Sequence, residues 1–249
     1  MQFREFGEAK RETIVLLHGG GLSWWNYRET AELLKNEFHI VLPILDGHAG
    51  SDRPFTSIEE NAAEIISWID AHCGGSVLLI GGLSLGGQIL LEMLSQRRNL
   101  CSCALVESAA VIPSRLTNAL IAPVFGCSYG LIQNRSFARL QFQSLHIRPE
   151  LFEDYYRDTC QIKKSDMVTF MKASTAYALK DTIRSSEADV HVYYGGKEPN
   201  EIKRSAELIG NNLPASQLHC FRDFYHGEFS INHAQDYADT IRQMLVSRQ

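Results

Sequence analysis

An apolar run, Val77–Gly81, passes directly into Gly82-Leu83-Ser84-Leu85-Gly86-Gly87, and an amphipathic stretch follows as far as Arg97. No other segment restricts the chain so tightly. A strand that turns at once into a helix forces the middle residue into strained backbone angles and pushes its side chain out at the tip. The residues two before and two after must be small, because a Cβ there would collide across the turn. Here both are glycine, at Gly82 and Gly86. Ser84 then stands at a helix N-terminus, where orphan N–H groups and the helix dipole favour developing negative charge. Two rival glycine readings fail. No G-x-G-x-x-G occurs here, and the Walker-type pair Gly82 and Gly87 is followed by Gln88-Ile89 instead of Lys and Ser or Thr.

A second signal is Leu17-His18-Gly19-Gly20-Gly21, directly after the apolar run Ile14–Leu17. A glycine run there frees the backbone to turn its N–H groups inward, as an oxyanion hole requires. The amide of Leu85, the residue after the serine, is the natural second donor. The plainer alternative is a tight strand-to-loop turn.

Around these signals, short apolar runs alternate with helical patterns, which is the signature of a mostly parallel sheet covered by helices. The predicted strands are Thr13–Leu17, His39–Ile44, Val77–Gly81, Ser102–Glu107, Asp189–Tyr194 and Gln217–Phe221, with Gln2–Phe6 as an edge strand. The predicted helices are Tyr27–Asn36, Ser57–Ala71, Leu85–Arg97, Glu198–Ile209 and His233–Val246. Ser57-Ile-Glu-Glu signals its own start, a hydroxyl cap with Glu60 three residues on. The interval from Pro113 to Ser186 is too long for a simple crossover. It is rich in aromatics from Phe125 to Tyr177 and reads as several short helices. That gives a division into a core, residues 1–112 and 187–249, and a helical cap or lid, residues 113–186. The alternative is a set of surface helices with a small core of their own.

Composition narrows the function classes. With 45% hydrophobic and 21% charged residues over 249 positions, the chain resembles neither a disordered nor a fibrous protein. Its 29 acidic against 24 basic side chains argue against a nucleic-acid backbone as partner. The six cysteines, Cys73, Cys101, Cys103, Cys127, Cys160 and Cys220, form no C-x-x-C pair, and buried free thiols are expected. Cys101 and Cys103 are expected on one face of their strand. The N-terminal residues carry acids and no apolar h-region, so no secretory signal is read. The most apolar window, Ser76–Leu94, is broken by two Gly-Gly pairs, which suits strand, turn and helix rather than a membrane span. The expectation is a soluble, cytoplasmic chain. No H-E-x-x-H or comparable spacing points to a metal, and no cofactor is expected.

These motifs together resemble the α/β-hydrolase fold superfamily over essentially the whole length. The glycine-rich turn at His18–Gly21, the stretch Asp46-Gly47-His48-Ala49-Gly50-Ser51, the elbow at Ser84, the inserted helices and a late histidine stand in the family's usual order. Serine at the elbow departs from the aspartate-nucleophile branches, so epoxide hydrolase and haloalkane dehalogenase chemistry are not expected. The resemblance implies Ser84 as nucleophile and puts the second oxyanion donor at Gly20, with Gly21 as the alternative. It implies a base after the insertion, where His191, His219, His226 and His233 lie. His191 and His219 fall in predicted strands, and His233 opens a helix. His226, in Asp223-Phe224-Tyr225-His226-Gly227, sits in the family's position. The acid is implied at Glu198, in Gly195-Gly196-Lys197-Glu198-Pro199, with Glu107 at the end of the preceding strand as the alternative. His18, Gly21, Trp24 and Trp25 are candidate pocket residues. The implied chemistry is hydrolysis of a small or medium carboxylic ester through an acyl-enzyme. Thioester hydrolysis, C–C bond hydrolysis, lyase chemistry or a non-catalytic ligand-binding role remain alternatives on the same fold. The expected partner is a small-molecule substrate, and the oligomeric state stays open.

Overall fold

The computed structural model describes residues 1–213 and 215–246, without the side chains of residues 127 and 128. The predicted Cys127 thiol therefore lies outside the described residues. Seven strands form one sheet: β1 (Gln2–Phe6), β2 (Thr13–Leu17), β3 (His39–Ile44), β4 (Val77–Leu83), β5 (Cys101–Glu107), β6 (Asp189–Gly195) and β7 (Gln217–Phe221). Their spatial order is β1-β3-β2-β4-β5-β6-β7. The β1–β3 pair is antiparallel and every other neighbouring pair is parallel.

The inner strands of the sheet are buried on both faces, which is why they read as continuous apolar runs. Along β2, Val15 and Leu17 enter one core layer while Ile14 and Leu16 enter the other. The first layer is completed by α2 (Ile58–Cys73), α3 (Leu85–Gln96) and α8 (Asn200–Asn212). The second is completed by α1 (Arg28–Leu34) and α10 (Ala234–Val246), with Tyr27 and Tyr237 fully buried between them. Each fully buried aliphatic side chain in these layers contributes about 1.5–3 kcal/mol of transfer free energy. Helix α2 starts where the sequence indicates, with the Ser57 hydroxyl accepting from the Glu60 amide at 3.0 Å.

Between β5 and β6 lie α4 (Arg115–Ser128), α5 (Arg135–Ser144), α6 (Phe152–Thr159) and α7 (Lys164–Ala176), with short 3-10 turns at Tyr129–Gln133, Pro149–Leu151 and Asp181–Ser185. Phe142, Phe152 and Tyr155 pack together and join the second core layer. The indole of Trp25 donates to Asp158 at 3.0 Å, and Arg28 donates to Asp154 at 2.9 Å. Helix α7 is bound to the first layer instead. Met167 and Phe170 are buried there, and Asp166 accepts from the Phe55 amide at 3.1 Å.

Three sequence expectations are corrected. The helix expected from Glu198 starts at Asn200, because Pro199 caps it and Glu198 is held outside by other partners. A short helix, α9 (Glu228–Asn232), precedes α10, since Gly227 in a left-handed conformation restarts the chain helically. The cysteines are not uniformly buried. Cys101 and Cys103 are, but Cys73 and Cys160 are half-buried and Cys220 is exposed. Cys101, the first residue of β5, also packs into the first layer and Cys103 into the second. Among the described residues, no helix is long and apolar enough to cross a membrane.

Candidate active site

Parallel strands β2, β4, β5 and β6 end at one edge of the sheet, and the loops that follow them build the site. At the end of β4 the chain turns sharply. Ser84 takes φ 53° and ψ −110°, and α3 begins at Leu85. The glycines flanking the turn are required by space. A Cβ on Gly82 would lie 2.4 Å from the Gly86 carbonyl oxygen, and one on Gly86 would lie 2.2 Å from the Leu17 carbonyl oxygen. A strained non-glycine residue held this way is a mark of function.

After β6, the carboxylate of Glu198 accepts from the Gly195 amide at 2.7 Å and from the Ser108 hydroxyl at 2.8 Å. Its other oxygen lies 2.7 Å from Nδ1 of His226, which stands in the loop after β7. The Glu198 side chain is only 1% exposed, while that of His226 is 46% exposed. Burial works to raise the Glu198 carboxyl, but His226 and the two hydrogen-bond donors outweigh it and hold the group below the usual carboxylate range. Ser108 was not singled out by its sequence context. It sits at the end of β5 with φ 54°, and its Oγ also accepts from the Gly227 amide at 3.4 Å, so one hydroxyl ties Glu198 to the histidine loop.

Glu107, one residue earlier, points elsewhere. It is fully buried, and its Oε1 accepts from the Ser230 amide at 3.2 Å. Burial pushes its pKa up to about 7.

The glycine run after β2 is organised by two histidines. Nε2 of His18 accepts from the Leu45 amide at 3.1 Å, which leaves Nδ1 protonated and donating to the Gly19 carbonyl at 2.9 Å. Nε2 of His48 accepts from the Gly21 amide at 3.0 Å, with Nδ1 donating to the Asp46 carbonyl at 3.0 Å. Burial lowers their pKa values to about 3 for His18 and about 4 for His48, so both rings stay neutral. The Gly21 amide is thereby consumed. The Gly19 amide points at Asn26 and the Leu22 amide bonds the Gly19 carbonyl. Among the described residues the Gly20 amide has no such acceptor, and the Leu85 amide, first in α3, has none within its helix. A Cβ added to Gly20 would lie 3.6 Å from the Leu85 side chain and 3.5 Å from the ring of Phe170 in α7, and that ring stacks on His48 at 4.5 Å.

A cavity of about 240 Å³ brings these pieces together. Gly19, Gly20, Ser84, Glu198 and His226 line it, with Leu22, Leu83, Leu145, Ile147 and Ile231 as its aliphatic wall. His18, Gly21, Trp24 and Trp25 are not among its lining residues. His18 and Trp25 are buried, Trp25 through its bond to Asp158. Trp24 packs beside Phe6 under Arg4 and Arg28. His191 and His219 face each other across β6 and β7 at 3.2 Å, and His233 stacks on Phe224 beyond α9.

The sequence matches the alpha/beta hydrolase family over residues 14–223. The chain belongs to that family. A relative from Gibberella zeae, described as an AB hydrolase superfamily protein, is 30% identical over 141 residues, covering 53% of this chain and 46% of its own length. The chain thus spans about half the length of that relative, and less of other curated relatives. Among solved structures, an esterase from Exiguobacterium antarcticum superimposes with a TM-score of 0.82 at 18% identity, covering 98% of this chain and 94% of that one. An enol-lactonase from Burkholderia xenovorans LB400 gives 0.80 at 17% identity, covering 98% and 96%. At such identities the likeness is one of fold.

Proposed function

We propose that this alpha/beta hydrolase is a serine hydrolase that cleaves carboxylic esters through Ser84, His226 and Glu198. The observation that carries the reading is the 2.7 Å contact between His226 Nδ1 and Glu198, beside a cavity that Ser84 also lines. With Nδ1 engaged, Nε2 is the ring nitrogen left to take the Ser84 proton as the hydroxyl attacks the ester carbonyl. Glu198 stabilises the imidazolium so formed. The amides of Gly20 and Leu85 receive the oxyanion, and Gly21 drops out as a donor because His48 holds its N–H. His226 then returns the proton to the departing alcohol and activates water to release the acid. The aliphatic wall suits an acyl or alcohol part of small or medium size. The names of the structural neighbours, an esterase and an enol-lactonase, favour the ester over a thioester or C–C bond.

The helices between β5 and β6 serve as a cap in this reading, since Ser144 to Ile147 at the end of α5 form part of the cavity wall.

A fluorophosphonate probe tests the reading without knowledge of the substrate. The expected result is an adduct on Ser84, located by peptide mass spectrometry and absent in His226→Ala. An adduct on another serine would move the nucleophile away from Ser84, and a folded protein that never labels would move a non-catalytic ligand-binding role to the front.

A further inference from the structure

The cavity wall is aliphatic apart from a few groups, and its one carboxylate, Glu198, is occupied by three partners. Among the described residues, Lys197 is the one lysine lining it. The Lys197 amide donates to the Phe224 carbonyl at 3.1 Å, which fixes it beside the histidine loop. Its Nζ stands 4.9 Å from the centre of the Tyr225 ring. The nearest acid, Asp223, is 4.0 Å away and its side chain is 82% exposed. A pair that long and that wet contributes little, so the half-exposed ammonium over the Tyr225 ring is not committed to a strong ion pair.

Tyr225 also carries the ring of His146, stacked at 3.6 Å and 10°. His146 comes from the inserted helices and has φ 55°, a left-handed backbone. Two bonds hold it there: Asn232 Nδ2 donates to the His146 carbonyl at 2.7 Å, and Asn232 Oδ1 accepts from the Arg148 amide at 3.0 Å. A row of His146, Tyr225 and Lys197 therefore lines the cavity, built from two distant parts of the chain and anchored at both ends.

We propose that this row is an anion subsite and that the substrate is an ester bearing a carboxylate or comparable anionic group, received by Lys197. This rests on the ester hydrolase reading above. A neutral ester has no use for a charge in that place. An anionic one gains a charge-assisted hydrogen bond from the half-exposed ammonium, and the aliphatic wall holds the chain between anion and ester carbonyl.

The test compares mono-para-nitrophenyl adipate with para-nitrophenyl hexanoate, which match in chain length and differ by a terminal carboxylate. The expected ratio of kcat/KM favours the adipate, falls about tenfold or more in Lys197→Met and further in Lys197→Glu, and returns in Lys197→Arg. In parallel, hexanesulfonate is titrated calorimetrically into wild type and Lys197→Met, with binding expected to weaken about tenfold. An unchanged ester ratio in Lys197→Glu, or equal sulfonate binding by both proteins, would overturn the proposal. Silence with both esters and with the fluorophosphonate would sink the hydrolase reading alone, because the sulfonate titration still decides whether Lys197 holds an anion.

Discussion

The Ser84 amide donates to the Glu107 carbonyl oxygen at 2.8 Å, so the strained turn hangs from the end of β5. Glu107 thus serves the elbow through its backbone, while its carboxyl is turned away to Ser230. The two acids near the site are separated by role: Glu198 faces the histidine, and Glu107 faces the core.

That separation predicts different kinetics for two matched substitutions. Glu198→Gln should lower kcat/KM for para-nitrophenyl butyrate by about three to four orders of magnitude, because the histidine loses its orienting charge. Glu107→Gln should cost less than about tenfold. The reverse order would move the acid to Glu107.

Glu107 should instead appear in stability. Its folded pKa, about 7, lies above the 4.5 of the free side chain. Between those values the folded chain holds a proton that the unfolded chain has released, so this group's contribution declines as pH rises through the window. Glu107→Gln imitates the protonated acid. Its urea midpoint relative to wild type should climb from pH 4.5 to pH 7 and level off above. A constant difference would show that the carboxyl is not strained by burial.

His18 and His48 act with the opposite sign. Their folded pKa values, about 3 and about 4, lie below the free value of 6.5. The unfolded chain takes up protons first, so stability is lost as pH falls from 6.5 toward 4. For His48 the full effect is roughly 3 kcal/mol. Thermal melts of His48→Gln across that range should show a shallower acid decline than wild type. Parallel curves would mean that the ring is charged in the folded state.

The elbow glycines can be tested by space alone. Gly86→Ala places a Cβ 2.2 Å from a backbone oxygen and should sharply lower Tm or soluble yield. Gly126→Ala, in α4, meets nothing within 4 Å and should be neutral or stabilising by about 0.5–1 kcal/mol. Equal effects of the two would refute the close packing of the turn.

Local signals made the sheet and the elbow legible in the sequence. Predicted strands Thr13–Leu17 and His39–Ile44 coincide with β2 and β3, because strands buried on both faces leave apolar runs, and Gln217–Phe221 coincides with β7 although that edge strand is largely exposed. Gly82 was legible because its exclusion is local, a Cβ there meeting the Gly86 carbonyl, whereas the atom that excludes a Cβ on Gly86 is the Leu17 carbonyl oxygen, far off in the sequence. What escaped depends on partners far apart in the chain. Nothing near Ser108 signals a bond to a carboxylate 90 positions later. Nothing near Gly21 reveals that His48 will take its amide, and Trp25 was drawn away from the cavity by Asp158, 133 positions on. The start of α8 was misread for the same reason, since Glu198 fits a helix start locally but is claimed by Gly195, Ser108 and His226.

Helix α7 bears on how this protein can be re-engineered. It supplies the acceptor for the Phe55 amide and the aromatic ring that stacks on His48, the residue holding the Gly21 amide. A chimaera that exchanges all of residues 113–186 for a foreign insertion discards that ring together with the cavity wall at Ser144 to Ile147. One that ends its graft in the turn before Lys164 keeps the ring on His48 and replaces only α4 to α6. The seam for transplantation runs between α6 and α7, inside what the sequence marks as a single insertion.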